Sequence, residues 1–254
     1  MLFDTHAHYD DEKFNDDVYE LLDSMPQNNV GLIVNSCSEI ADIPRILEFC
    51  EKYPFMYASI GIYPHNTVDM TENDIDKLRE FSKHEKVVAI GEIGLDYYYD
   101  DSPKDVQKYW FGRQVDLARE LNLPVVIHDR DAHGDIMQIL KEHKVQECGG
   151  VFHCYSGSAE MAKEVLGLGM YIAFGGTVTF KNSVRAVETA KIVPDDKFVI
   201  ETDSPYLAPV PMRGKRNSSL YIHYVAEKLA EIRNTDVSHI EELTYNNAKG
   251  LFRI

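Results

Sequence analysis

The stretch Leu2-Phe3-Asp4-Thr5-His6-Ala7-His8 is a short apolar strand that runs out into His-x-His, and its reading decides the fold. Side chains two apart on a strand point the same way, so His6 and His8 share a face about 6 to 7 Å apart along the backbone. Two neutral imidazoles so placed can converge on one divalent ion. Alone, the pair is weak evidence and fits two solvated histidines at a strand end better. Later apolar runs decide the matter, because Val87-Val88-Ala89-Ile90-Gly91-Glu92, Val125-Val126-Ile127-His128, Val151-Phe152-His153 and Phe198-Val199-Ile200-Glu201, with Asp203 just beyond, also finish in ligand-type residues.

Between these runs the apolar period switches to helical spacing. Val18, Leu21, Leu22 and Met25 mark a first helix stopped by Pro26; strands over 32–34 and 56–62 alternate with helical faces at Ile43, Ile46, Leu47 and Cys50 and at Ile75, Leu78 and Phe81. A long helix around Trp110 to Leu121, helices near Ile136, Val165 and Val187, a seventh strand over Tyr171–Phe174 and two C-terminal helices, from Leu220 to Ile232 and from about His239 to Leu251, complete the chain. Eight short strands alternating with helices predict a (β/α)8 TIM barrel, one domain over residues 1–254 with an extra C-terminal helix. A doubly wound open sheet is the alternative. It would leave strand one far from strand eight, whereas closure brings all the ligand-type ends to one mouth.

Composition sets further bounds. The 254 residues carry a net charge of −16, which argues against a broad basic surface for nucleic acid, though not against an enzyme whose metal ions supply local positive charge. Cys37, Cys50, Cys148 and Cys154 form no C-x-x-C pair and read as thiols of a reducing compartment. Cys154, beside His153, is expected to point away from that residue's face as a small buried hydrophobe. The N-terminus starts a strand directly and no apolar run has bilayer length, so a cytoplasmic protein without a membrane segment is expected. No obligate protein partner is evident.

Collected at the predicted mouth are His6, His8, Glu92, His128, His153 and Asp203, with His65 after strand three, whereas His84, His133, His143, His223 and His239 fall in helices or loops and read as surface. Six N and O ligands exceed one tetrahedral site. Two divalent ions bridged by a carboxylate such as Glu92 are the economical reading, and such a pair clamps phosphoryl groups and activates water. Each residue has a plainer role available: Glu92 as a turn cap, Asp203 as a helix cap, each histidine as a hydrogen-bonded strand end.

These residues sit in blocks that resemble the TatD family of metal-dependent deoxyribonucleases over the whole chain: Asp4–His8, Gly61-Ile62-Tyr63-Pro64-His65, Gly91-Glu92-Ile93-Gly94-Leu95-Asp96-Tyr97, Ile127-His128-Asp129-Arg130, Phe152–Gly157, Thr179-Phe180-Lys181-Asn182 and Glu201-Thr202-Asp203-Ser204-Pro205-Tyr206-Leu207. The resemblance implies a TIM barrel, two divalent ions (Mg, Mn or Zn), His6, His8, Glu92 and Asp203 around one, and Glu92, His128 and His153 around the other. It further implies DNA hydrolysis as a 3′ to 5′ exonuclease, with Glu92 and Asp203 as catalytic groups and Asp203 taking a proton from the attacking water. Single strands or 3′ ends are the expected partners rather than long duplex.

His65, Arg130, Arg213 and Arg216 form the expected substrate-binding set, with Lys181 and Lys215 as further loop cations that fit a solvated loop equally well. Tyr97, Tyr98 and Tyr99 are candidates to stack on unpaired bases or to pack their loop. Glu201, two residues before Asp203, reads either as a partner behind a ligand or as a buried hydrogen-bonded acid. An amidohydrolase acting on aminoacyl esters, lactones or C–N bonds is the competing enzyme class. Many of those bridge metals with a strand-four lysine, but Glu92 occupies that place here and Lys86 lies at the opposite strand end. A non-catalytic metal-binding module is the third reading.

Overall fold

The computed structural model describes residues 1–99 and 101–254. Eight parallel strands pair in sequence order: β1 (Leu2–Ala7), β2 (Val30–Ser36), β3 (Met56–Ile60), β4 (Val87–Asp96), β5 (Val125–Arg130), β6 (Gly150–Phe152), β7 (Tyr171–Phe174) and β8 (Phe198–Ile200). Helices α1 (Val18–Asp23), α2 (Ile43–Lys52), α3 (Glu72–Phe81), α4 (Lys104–Leu121), α5 (His133–Glu142), α6 (Ala159–Gly167), α7 (Val184–Ile192) and α8 (Ile222–Arg233) alternate with them, and α9 (Val237–Phe252) is the additional C-terminal helix. This is the TIM barrel expected from the alternating pattern.

The helices form where the apolar period and the end chemistry agree. In α2, Ile43, Ile46, Phe49 and Cys50 are all buried and Pro44 occupies the first turn, where no backbone donor is lost. Thr71 and Asp74 close a reciprocal capping box on α3. Asn122 and Asn234 end α4 and α8 in the left-handed conformation that asparagine tolerates.

The seam between β1 and β8 closes through a few specific bonds rather than a long ladder. Thr5 Oγ1 donates to Ile200 O at 3.0 Å, Asp203 N to His6 O at 2.9 Å and His8 N to Ser204 O at 2.7 Å. Beneath them the buried Asp4 carboxylate accepts from Thr202 N at 2.9 Å, Thr202 Oγ1 at 2.6 Å and Ser219 Oγ at 2.6 Å. Burial nevertheless pushes its carboxyl up to about 7 against those donors. Thus β1 and the segment after β8 are held at one place, the end where His6, His8 and Asp203 emerge.

Phe3, Val34, Val88, Ala89, Val126, Val151, Ala173 and Val199 form one apolar cluster with Ala248, Leu251 and Phe252 of α9. Side chains from seven strands of a closed barrel meet only inside it, so this cluster fills the barrel. Phe3 packs on Tyr245 and Phe252, with ring centroids 6.0 and 5.9 Å away. Because Phe3 lies near the start of β1 and His6 near its end, α9 plugs the end opposite the histidines.

Several strand limits differ from the sequence reading. β4 runs to Asp96, four residues past Glu92, with a register irregularity between Ile90 and Ile93 in its pairing with β5. Glu92 is therefore inside a strand, at a bulge-like break that turns it to the mouth. β3 stops at Ile60, β6 at Phe152 and β8 at Ile200, so His153 and Asp203 project from the loop starts. Gly94, at φ +149, lets β4 approach β5: a Cβ there would meet His128 O at 1.9 Å.

Candidate metal centre

All six proposed ligands reach one end of the barrel. His6 Nε2 and His8 Nε2 lie 3.0 Å apart, and the His6 and His153 rings stack with centroids 3.7 Å apart. Glu92, with a side chain 4% exposed, stands between two pairs of histidines. Its Oε2 is 3.3 Å from His6 Nε2 and 3.6 Å from His8 Nε2. The other oxygen, Oε1, is 2.9 Å from His128 Nδ1 and 3.5 Å from His153 Nε2. Asp203 Oδ1 faces His8, His6 and His153 Nε2 at 3.6, 3.8 and 3.9 Å. It sits at φ +58, a left-handed conformation that aspartate adopts more readily than most residues, and this turns its carboxylate back over the mouth.

The outer nitrogen of each imidazole is backed by the scaffold. His8 Nδ1 donates to Ser36 O at 2.8 Å, a carbonyl that can only accept, which leaves Nε2 turned to the centre. Ser36 Oγ is 3.1 Å from His6 Nδ1. Glu201 Oε1 stands 3.2 Å from His153 Nδ1, in ion-pair range but off the line of its N–H, and accepts from Cys154 N at 2.6 Å. Glu201 thus supports the His153 segment from behind. Asp96 Oδ2 and Tyr63 Oη are 3.1 and 3.0 Å from His128 Nε2.

The titration of these groups reflects that crowding. Burial works against every charge here, yet the His153 and His6 charges, with hydrogen bonds from His128 and His6, hold Glu92 well below the usual carboxylate range. Burial also opposes the His8 imidazolium, but the nearby carboxylates of Asp203 and Glu92 carry it up to about 9. The same opposition at His153 is overcome by Glu201, Glu92 and Asp203, which raise it to about 10. His6, where burial dominates, is lowered. Without metal, protons on histidines balance the buried carboxylates. Divalent ions would supply the same positive charge, and the donor set of imidazole nitrogens and carboxylate oxygens is the one such ions take. His6, His8 and Asp203 form one compact donor group and Glu92, His128 and His153 another; His6, His153 and Glu201 also cluster.

The centre opens into a cleft of about 890 Å³. His65 and Arg130 line it, with Tyr63, Tyr99, Tyr206, Leu207 and Asp129. Arg130 packs its guanidinium 4.1 Å from the Tyr98 ring and 5.2 Å from that of Tyr99. The opposite wall is acidic, made by Asp10, Asp11, Glu12 and Asp42.

Several expected site residues are placed elsewhere. Arg216 does not line the cleft: its guanidinium makes a fork to Asp17 at 2.8 and 2.6 Å and donates to Lys13 O at 2.7 Å. Arg213 lies over the Phe180 ring at 3.9 Å, also outside the cleft lining. Each is captured by a partner remote in sequence. Lys181 and Lys215 are exposed and likewise outside the lining. Tyr97 donates to Asp135 Oδ2 at 2.6 Å under Lys104, so it packs its loop, whereas Tyr99 faces the cleft. Cys154 lines the cleft instead of pointing away, because β6 has already ended and Cys154 takes φ +44, which breaks the alternation. His133, read as surface, holds Asp129 Oδ2 at 2.6 Å, and its side chain remains 37% exposed.

Asp96, Tyr63, Ser36 and the acidic wall were not singled out as site residues from sequence. For Asp96 a signal existed, since Glu92, Gly94 and Asp96 fall on one face by simple alternation once β4 is allowed to continue. Among the described residues no helix is long and apolar enough to cross a membrane.

The family model for TatD-related DNases matches residues 3–253. The chain is 48% identical over 254 residues to the uncharacterized metal-dependent hydrolase YabD of Bacillus subtilis, covering 100% of both. It is 28% identical over 258 residues to a Cronobacter sakazakii protein named 3′-5′ ssDNA/RNA exonuclease TatD, covering 99% of this chain and 97% of that one. The crystal structure of the TatD homologue YjjV from Escherichia coli superposes with a TM-score of 0.93 at 30% identity, covering 100% and 98% of the two chains. With its barrel, its donor set and these similarities, the chain belongs to the TatD family of metal-dependent hydrolases.

Proposed function

We propose that the protein hydrolyses phosphodiester bonds of DNA, as a 3′ to 5′ exonuclease acting on single strands or frayed 3′ ends, with two divalent ions, Mg²⁺, Mn²⁺ or Zn²⁺. The observation that carries this reading is the split of Glu92, whose two oxygens face different pairs of histidines. On that geometry His6, His8, Asp203 and Glu92 would hold one ion, and Glu92, His128 and His153 would hold the other. When bound, such a pair supplies Lewis acidity to a phosphoryl oxygen and makes water acidic enough to attack near neutral pH. The name of the Cronobacter relative supports nucleic acid as substrate.

The chain's own groups then divide the work. Asp203, whose side chain is 14% exposed against 4% for Glu92, is the more open of the two carboxylates and can take the proton of the attacking water. Arg130, held against Tyr98 and Tyr99, offers a fixed guanidinium to a phosphate. Tyr99 and Tyr206 present faces on which an unpaired base can stack, and His65 sits beside Tyr99 with ring centroids 5.3 Å apart. The acidic wall and the net charge of −16 disfavour wrapping of a long duplex.

The test uses 5′-labelled oligonucleotides and purified protein with defined metal content. Stepwise shortening of a linear single strand, resistance of a 3′-blocked or circular strand, and loss of activity on chelation with recovery on adding Mg²⁺, Mn²⁺ or Zn²⁺ are expected. Equal cleavage of circular and linear DNA, or faster turnover of a lactone or aminoacyl ester than of any oligonucleotide, refutes the exonuclease assignment. Undiminished turnover after verified metal removal refutes the metal mechanism.

A further inference from the structure

A second hollow, a groove of about 660 Å³, lies between α5, α6 and the start of α7. Met137 and Met161 give it an apolar floor, and farther along the two helices Lys141 pairs with Glu164 at 3.0 Å across it. His133, Ser158 and Arg185 stand where these helices begin. In a barrel each helix begins after the C-terminal end of a strand, so this is the mouth side of the groove.

Two links join the groove to the cleft. Asp129 lines the cleft, and its Oδ2 accepts at 2.6 Å from Nδ1 of His133, which lines the groove. Ser156 lines the cleft and Ser158 the groove, with only Gly157 between them. The Tyr155 hydroxyl pins that sill by donating to Ser158 O at 2.7 Å. A Cβ on Gly157 would meet Tyr155 Oη at 2.5 Å and Met161 Sδ at 2.7 Å, so the sill carries no side chain at its middle.

Charge decides which way a polyanion can leave the cleft. Asp10, Asp11, Glu12 and Asp42 face it on one wall, and their repulsion reaches about 8 Å at physiological salt. The other side carries Arg130, and the carboxylate of Asp129 beside it is matched by His133. The hydrogen bond to Asp129 raises His133 against the opposing charge of Arg185, so the imidazole keeps its proton better than a free histidine. Arg185 itself stands apart from the other arginines of the outer surface. Arg79, Arg113, Arg119, Arg216 and Arg233 are each held by a carboxylate, whereas Arg185 is exposed and has neither an ion pair nor a ring partner among the described residues. An uncommitted guanidinium over a groove is a ready fork for a phosphate.

We propose that the groove between α5 and α6 is a second binding site, which holds the part of a single strand lying upstream of the 3′ nucleotide in the cleft, with Arg185 on one of its phosphates. This inference rests on the nuclease reading above. The strand passes Arg130, crosses at Asp129–His133 and Ser156–Ser158, and lays sugars and bases on Met137 and Met161. A substrate too short to cross the sill does not feel the groove.

The test compares a dinucleotide with a long single strand on metal-loaded, full-length protein. Arg185→Ala should raise KM for the long strand about threefold to fivefold, the size of one exposed charge pair, with kcat unchanged. The plot of log KM against log salt should lose about 0.7 in slope, one phosphate contact on a single strand. Dinucleotide kinetics should stay as in wild type, and Arg216→Ala, at a paired arginine outside both hollows, should change neither. Photo-crosslinking gives a readout without turnover: thio-substituted thymidines placed upstream in a strand with a hydrolysis-resistant 3′ linkage should attach to α5 or α6 at the groove. Upstream crosslinks on the acidic wall overturn the groove and leave the nuclease reading standing. So does an Arg185→Ala effect that is equal on dinucleotide and long strand, or absent from both. A wild-type protein that neither hydrolyses nor crosslinks any oligonucleotide overturns both readings together.

Discussion

Replacing Glu92 with glutamine keeps the size and one oxygen of the side chain but removes the charge that the two proposed metal positions share. The carboxylate oxygens lie 2.9 to 3.6 Å from ring nitrogens of four histidines, and the side chain is 4% exposed, so little water screens them. At an effective dielectric constant near 20, two unit charges 4 Å apart interact by about 4 kcal/mol. If half of that is lost at each metal position, each ion is bound about 2 kcal/mol more weakly, roughly thirtyfold in affinity. The amide also presents NH2 to one of the two positions, which then lacks a ligand outright. Glu92→Gln should therefore lose more metal and more activity than His6→Ala or His128→Ala, each of which removes a ligand of one ion only. The assay counts bound metal after gel filtration and measures oligonucleotide turnover on the same samples. A Glu92→Gln protein with two tightly held ions and near wild-type turnover would falsify the bridge.

Three further outcomes are expected. Asp203→Asn should keep the fold, because asparagine also tolerates the left-handed backbone at φ +58, while hydrolysis falls by on the order of 10² to 10⁴; circular dichroism and rate together check this, and unchanged turnover removes Asp203 from the chemistry. In the metal-free protein His8 and His153 are raised to about 9 and 10 against 6.5 when unfolded, so the folded form binds more protons and its stability should fall as pH rises from about 6.5 toward 10; metal affinity should rise over the same window, since ions displace those protons, and urea midpoints in chelator with calorimetry in two buffers read both effects. Arg130→Ala should raise KM for oligonucleotides, whereas Arg216→Ala should leave KM alone and cost about 1 kcal/mol or less of stability, because its half-exposed pair with Asp17 is a surface contact; a KM effect of equal size in both variants contradicts the cleft geometry.

The sequence by itself determined the barrel and which donor-type residues stand at its mouth, since both rest on short-range rules. Apolar runs alternate between the two periods, and a side chain at a strand's C-terminal end must face the mouth once the sheet closes. His6, His8, His128 and His153 were legible for that reason, and so was the additional helix at the C-terminus. What only tertiary structure decided depends on distant partners. Asp17 takes Arg216 from across 199 residues, and Phe180 takes Arg213; a loop cation looks the same in sequence whether or not a carboxylate or ring waits for it. Cys154 joined the cleft because one residue at positive φ cancels the alternation on which its placement rested. Glu92 could be named as the bridge, but that its two oxygens part between two pairs of histidines is set by where β1, β5 and the segment after β6 bring those histidines. Local pattern chooses which residues reach the mouth; the packing of separate segments chooses which atoms of them are free to act.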